Sequence, residues 1–283
     1  MSNMNRLDAT RRALVVKTLV EGNGLRATAR ITGVARMTVE KLLRELGPAC
    51  EKYQDETLRN LNSKRVQCDE IWAFCYAKER AIKKDPTVLD RNPEAGDVWT
   101  WTAIDADSKL CISWLVGTRS LRSARTFIHD VASRLANRVQ LTTDAYRMYL
   151  NVIEEAFGME VDYAQLNKIY TSDTGGRYSP PICIGCEKRE ITGSPDPKHI
   201  STSYVERQNL TMRMHMRRFT RLTNAHSKKL EMHRASVALH FMYYNFVRLH
   251  ESLRVPPAMA AGVTDKMWDV ADILALLNQV RTR

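Results

Sequence analysis

The sequence predicts a mixed α/β protein, a sheet flanked by helices and preceded by an all-helical segment. Three observations carry this. Residues 66–116 hold runs of β-forming residues at strand length. From residue 120 onward, helical periodicity alternates with short β-rich runs. Residues 7–46 show helical spacing only.

At the N-terminus, Leu7, Leu14, Val15, Thr18 and Leu19 fall at helical spacing, and Glu21-Gly22-Asn23-Gly24 breaks the pattern. A short helix is expected over 25–32, a turn at Gly33-Val34-Ala35 and a second helix over 37–46. Gly47-Pro48 is expected to end it, because proline lacks the amide donor a helix needs. Residues 49–65 are polar and charged and read as a linker, helix or loop. The expected division is 1–48 for a DNA-reading unit, 49–65 for the linker, 66–255 for the sheet domain and 256–283 for a helical tail.

Five strands follow from the pattern. Residues 66–74 are rich in β-formers, Trp99 and Trp101 alternate with Thr100 and Thr102 over 98–104, and 110–116 is apolar. Residues 105–109 make the hairpin turn between the last two, and 77–97 form a charged excursion. A helix over 120–137 leads to a short strand at 139–143, a helix at 146–157 and a strand at 160–170. Antiparallel strands come first, then strands alternating with helices, which argues for a mixed sheet. Residues 171–200, with Thr171 to Gly176, Pro180-Pro181 and Pro195-Asp196-Pro197, read as one long irregular loop, a length that is often functional. Helices are expected from Ser203, over 227–249, and through Trp268, Ile273 and Leu277.

The net charge is +11 and the pI about 9.5. Such a balance points to a polyanionic partner, most often nucleic acid. No apolar run is long enough to span a membrane and no signal-peptide core opens the chain, so a cytoplasmic place is expected. The six cysteines are scattered, which suits reduced thiols. Cys183 and Cys186 form the one CxxC pair; a structural zinc takes four ligands, so a zinc-free loop is expected there.

Residues 25–43 fit a helix-turn-helix. Ala29 lets two helices approach, Gly33 permits the turn, and Val39 and Leu42 pack the second helix back. Such a unit puts the start of its second helix into the major groove, making Arg36, Thr38 and Lys41 the candidates for DNA contact. A helical bundle used for assembly is the alternative.

Chemistry is expected from acids on the sheet. Asp69 lies inside an otherwise apolar strand, where an unpaired charge is costly. Asp144 follows the strand at 139–143, at the end where catalytic groups gather. Glu206 opens a helix after the long loop. Three such carboxylates can hold two magnesium ions about 3.5–4 Å apart. Alternation sets Asp69 and Glu70 on opposite faces, so one of them is expected to serve. The residues leave alternatives open: an Asp69–arginine pair, an Asp144 helix cap, a surface Glu206. Asp97, Asp105 and Asp173 also lie near strand ends. Eight Lys or Arg occur over 207–234, opposed by Glu231 alone. Glu206, Asn209, Arg213 and Arg217 recur at helical spacing, which puts a carboxylate beside cations that suit a phosphate backbone.

Asp69-Glu70-Ile71-Trp72, Thr143-Asp144-Ala145-Tyr146 and the stretch from Tyr204-Val205-Glu206-Arg207 to Met212-Arg213 resemble the acidic motifs of the insertion-sequence One transposases. Tyr244 to His250 with Pro256-Pro257-Ala258 is similar to the tail of integrase-core transposases. The resemblance implies a ribonuclease H-like fold with a mixed five-stranded sheet. It carries the catalytic and metal-binding triad onto Asp69, Asp144 and Glu206, and puts Asn209 and Arg213 near bound DNA. It implies a DDE-type polynucleotidyl transferase that uses Mg2+, with Mn2+ able to substitute, on transposon ends and target double-stranded DNA. Two ends must meet, so a homodimer or larger assembly is expected, in the cytoplasm at a bacterial nucleoid. A catalytically inert DNA-binding regulator and a structure-selective nuclease of the same fold are the competing expectations. Members of the family often carry a zinc module before the helix-turn-helix. The first residues here hold no such cysteines, so end recognition is expected to rest on a smaller module or on a different accessory surface.

Overall fold

The computed structural model describes residues 7–171, 182–220 and 223–279. It opens with three helices, α1 (Ala9–Val20), α2 (Leu25–Thr32) and α3 (Arg36–Thr57). The Asp8 carboxylate accepts the Arg11 N–H at 2.8 Å and so starts α1. Gly33 ends α2 in left-handed backbone, φ 66°, a conformation that costs a glycine little.

Gly47-Pro48 does not end the helix that holds it; α3 runs through both residues. An interior proline costs about 3 kcal/mol. Continuing the helix buries Ala49, Cys50 and Gln54 and leads Leu58 and Leu61 into the core. Each large apolar side chain so buried stabilises by roughly 1.5–3 kcal/mol, which outweighs the proline. Gly47 instead marks a close helix crossing: a Cβ there would lie 2.4 Å from Cα and Cβ of Ala235. Nine residues of the stretch read as a linker are therefore helix, and Gln54 within it donates to the carbonyls of Cys50 and Ala238.

The rest of the chain runs β1 (Arg65–Cys75), one-turn helices α4 (Glu79–Ile82) and α5 (Val88–Arg91), β2 (Gly96–Asp105), β3 (Cys111–Gly117), α6 (Leu121–Arg134), β4 (Val139–Asp144), α7 (Met148–Phe157), β5 (Val161–Tyr170), β6 (Cys183–Thr192), α8 (Ser203–His215), α9 (Leu230–Phe246), α10 (Pro257–Ala260) and α11 (Val270–Gln279). The sheet is mixed, in the order β3-β2-β1-β4-β5-β6. β1, β2 and β3 pair antiparallel, β4 runs parallel to β1 and β5, and β6 is antiparallel to β5. A sheet of this kind flanked by helices is compatible with a ribonuclease H-like fold, but it has six strands, not five. The sixth, β6, lies inside the stretch expected to be a loop. Its run Glu187-Lys188-Arg189-Glu190 hides any alternation, and charge on an edge strand is how proteins discourage further pairing. Cys183 and Cys186 are exposed on this strand, while the other four cysteines are buried thiols. The turn signals at 172–176 and Pro180-Pro181 fall outside the described residues.

The pleat of β1 sorts the helices. Val66 and Cys68 face the core that holds Phe127 and Ile128 of α6 and Tyr149 and Val152 of α7. Ile71, Ala73 and Cys75 face the core that holds Met212 of α8 and Val237, Phe241 and Tyr244 of α9. Asn245 ties α9 to the sheet: it accepts the Cys111 N–H and donates to the Cys111 carbonyl, each at 3.0 Å. Asn245 belongs to the stretch that resembles the integrase-core tail, and its place here is structural. Gln67 of β1 accepts the amides of Tyr204 and Val205, satisfying first-turn donors of α8 and fixing that helix over the sheet. Among the described residues no helix is long and apolar enough to cross a membrane.

Candidate active site

The site forms where two strands part. β1 and β4 pair in parallel only as far as Cys68 and Thr143. The next residues are Asp69 and Asp144, and β1 continues on to Cys75 paired with β2, with a single further bridge from Cys75 to Ser227. Asp69 points to the α8 face and Glu70 to the α7 face, as alternation requires. Both nevertheless reach one point, because no ladder separates the two faces beyond Cys68. Ligand atoms of Asp69, Glu70 and Asp144 all lie within 4.8 Å of one another. The expectation that only one of Asp69 and Glu70 could serve is corrected by this splay.

Each acid is held in place. Asp69 accepts its neighbour's amide, Glu70 N–H, at 2.8 Å and the Asn209 side-chain amide at 2.8 Å. Burial, with Glu70 and Asp144 close by, pushes its carboxyl up to about 7. Burial and Asp144 also raise Glu70, against the pull of Arg119. Glu70 accepts from Arg119 Nε at 2.7 Å and from the Tyr149 hydroxyl at 3.0 Å. Burial raises Asp144 too, and the Tyr146 N–H that it accepts at 3.0 Å works in the opposite sense. Asp144 does not cap α7, whose N-cap position is Arg147.

Arg119 is the residue that the sequence reading missed. Its guanidinium lies 4.8 Å from the Trp99 ring and 4.1 Å from the Tyr146 ring while bonding Glu70. Two aromatic faces and a carboxylate fix it beside the acids. The available signal was Tyr146, two residues after Asp144, together with Trp99 on the adjoining strand.

Glu206 stands in the first turn of α8, beside the grouping and outside it. Its charge helps to raise both Asp69 and Asp144. Its carboxylate accepts from Lys168 Nζ and, at 2.6 Å, from the Thr202 hydroxyl. Asn209, one turn on, is buried against Asp69, and its Oδ1 has no hydrogen-bond partner among the described residues. Arg213 follows, half-buried. Arg217 does not share that face, because α8 ends at His215 and Arg217 opens a 3-10 turn. Arg36, Thr38 and Lys41 are exposed in the first turns of α3, apart from the acids. Arg36 approaches Glu40 at 3.7 Å and Lys41 approaches Glu45 at 4.0 Å.

The donor set fits a hard divalent cation. Three carboxylates offer oxygen ligands of the kind that magnesium and manganese prefer. Their mutual repulsion and desolvation would be relieved by positive charge, and the orphaned Asn209 Oδ1 offers a further polar atom beside Asp69.

No protein-family model matches the chain, and no curated protein matches it. Among solved structures, the cryo-EM structure of a piggyBac transposase synaptic complex with hairpin DNA aligns at a TM-score of 0.38 and 9% identity. That alignment covers 100% of this chain and 75% of the other. At this score the likeness carries no weight for fold or function.

Proposed function

We propose that the chain is a DDE-type DNA transposase, which cuts at transposon ends and joins the freed ends to target DNA. The observation that carries this is the convergence of Asp69, Glu70 and Asp144 where β1 and β4 part, with Asn209 bonded to Asp69 and Glu206 alongside. The motif resemblance of the same residues supports it.

Asp69 and Asp144 would hold the magnesium or manganese ions, with Glu206 as the third triad member and Glu70 a closer carboxylate than the motif implies. Divalent ions at such a site supply activation of the attacking oxygen and charge offset on the leaving one. In the first reaction, water oxygen bonds to phosphorus and the P–O3′ bond breaks, leaving a 3′-hydroxyl on the element. In the second, that hydroxyl attacks a target phosphorus, a new P–O3′ bond forms, and a target 3′-hydroxyl leaves. Asn209 fixes the Asp69 carboxylate. Arg119, with only part of its donor fork spent on Glu70, can orient a phosphate oxygen. Glu206 is free for this work only if it exchanges Lys168 and Thr202 for the substrate complex. The unit α2–Gly33–α3 would read end DNA through Arg36, Thr38 and Lys41, and Asn209, Arg213 and Arg217 complete the proposed DNA-side residues. Joining two ends calls for a homodimer or larger assembly.

The test uses oligonucleotides carrying the inverted repeats that flank the coding region. Wild type is expected to join them to target DNA with magnesium, and Asp144→Asn to join none while still binding DNA. Joining by Asp144→Asn at the wild-type rate would sink the assignment. Free cuts without joining would make the chain a nuclease, and binding without cleavage a regulator.

A further inference from the structure

A second charged region lies away from the acids. The turn between α1 and α2, the start of α3 and the residues that join α8 to α9 enclose a cleft of about 550 Å3. Six Lys or Arg line it: Arg26, Arg36, Arg217, Arg218, Lys228 and Lys229; Glu40 is the one acid. Glu40 is already engaged by Arg36 at 3.7 Å and Arg44 at 3.1 Å. Arg26, Arg217, Lys228 and Lys229 are exposed and have no carboxylate partner among the described residues.

We infer that this cleft grips the phosphate backbone of DNA, as a sequence-independent holding surface separate from the acids. The inference rests on the reading of DNA as the substrate. Three observations favour a polynucleotide backbone over a single small anion. The cations come from two separate stretches of the chain, Arg26 and Arg36 at the starts of α2 and α3 and Arg217, Lys228 and Lys229 between α8 and α9, so they line a cleft and do not belong to one loop. Arg218 is half-buried, and its Nη1 donates to the Ser227 hydroxyl at 3.0 Å, a neutral partner. A phosphate would give this guanidinium a charged acceptor in place of a hydroxyl. Finally, α8 leads from Asn209, which bonds Asp69, to His215, its last residue, at the cleft. Six residues at 1.5 Å each span roughly 9 Å, well inside one turn of a duplex at about 34 Å. One duplex can therefore touch both regions. The grip is expected to ignore sequence, because contacts from these cations to phosphate carry no base information.

The test is fluorescence-anisotropy titration of the full chain with a duplex of unrelated sequence, in EDTA, over a series of NaCl concentrations. Each phosphate contact contributes about 0.9 to the slope of log K against log salt. The variant Arg217→Gln/Lys228→Gln/Lys229→Gln is expected to lower that slope by about 2 to 3, and by the same amount on any duplex. A matched loss of charge at exposed Lys52, Lys83 and Lys84 is expected to leave it unchanged. Equal slopes for the cleft variant and wild type, or equal losses in both variants, overturn the cleft. The assay contains no metal, so it reads the cleft whether or not the chain cuts DNA. Wild-type binding that depends on the cleft with no cleavage of end DNA would remove the catalytic reading and leave the cleft standing. Joining activity with an unchanged slope would do the reverse.

Discussion

Asp69, Glu70 and Asp144 crowd three carboxylates within 4.8 Å of one another, largely out of solvent, with Arg119 as the cation that bonds one of them. The cleft at α3 does the opposite: six cations from separate stretches of the chain stand against one acid, and most face water. The first region is ordered by hydrogen bonds to each acid; in the second, Arg217 and Lys229 are exposed cations. The contrast teaches a division of labour. Burial and mutual repulsion disfavour the charged forms of these acids until a cation joins them, and acidic oxygens alone do not attract a phosphate chain. Attraction for that chain has to come from elsewhere on the surface, where long-range charge draws DNA in without demanding fixed geometry.

After the complete loss of joining expected of Asp144→Asn, the next largest effects should come from residues that hold the acids. Asn209→Ala removes the amide from Asp69, and Glu70→Gln weakens the anchor of Arg119 while removing one acid charge. Each is expected to lower magnesium-dependent joining roughly 10–100-fold, the usual cost of losing an outer partner of a metal ligand. Neither should alter the salt dependence of DNA binding. A change in that slope would mean that the two regions are not separate.

A smaller effect should appear in stability. In the metal-free chain the Asp69 carboxyl is raised from about 3.8 to about 7, and Glu70 and Asp144 are raised as well. A carboxyl raised in the folded state contributes stability that is present below its unfolded value and is lost as pH rises through the folded one. The acids should therefore cost stability between about pH 4 and pH 7. Asp69→Asn is expected to melt higher than wild type at pH 8 in EDTA, and to lose that advantage near pH 4. A melting difference that does not change with pH would contradict the crowding of the acids. The surface acids Asp107 and Asp162 are lowered by Arg65 and Arg138 and push in the opposite sense in both proteins, so they cancel in the comparison.

Much of this contrast could be read in the chain before folding. Trp99 and Trp101 alternating with Thr100 and Thr102 foretold β2, and of the clustered acids Asp69 lies inside its strand and Asp144 at the end of its own, as expected. What stayed hidden depends on partners far apart in sequence. Pro48 sits inside a helix because continuing α3 buries Ala49 and Cys50 and leads Leu58 into the core, where Gly47 also meets Ala235 across the α3–α9 crossing. Arg119 gains meaning only from Glu70, Trp99 and Tyr146, which three different segments supply. The strand β6 was masked by its own charges. Strand alternation predicted the faces of Asp69 and Glu70 correctly and their separation wrongly, because periodicity does not reveal where the ladder beside them stops. The cleft cations were visible as a basic run near α8, but the helix end at His215 turns Arg217 away from Asn209 and into the cleft.

The central claim is that the parted ends of β1 and β4 make a divalent-cation site from this chain's own carboxylates. Titration of Mn2+ into the DNA-free protein, followed by the loss of the free-ion electron paramagnetic resonance signal, tests it without any knowledge of the end sequence. Wild type should bind the ion, and Asp69→Asn and Asp144→Asn should each lose that binding, while the cleft variant keeps it. Equal Mn2+ binding by wild type, Asp69→Asn and Asp144→Asn would contradict the account.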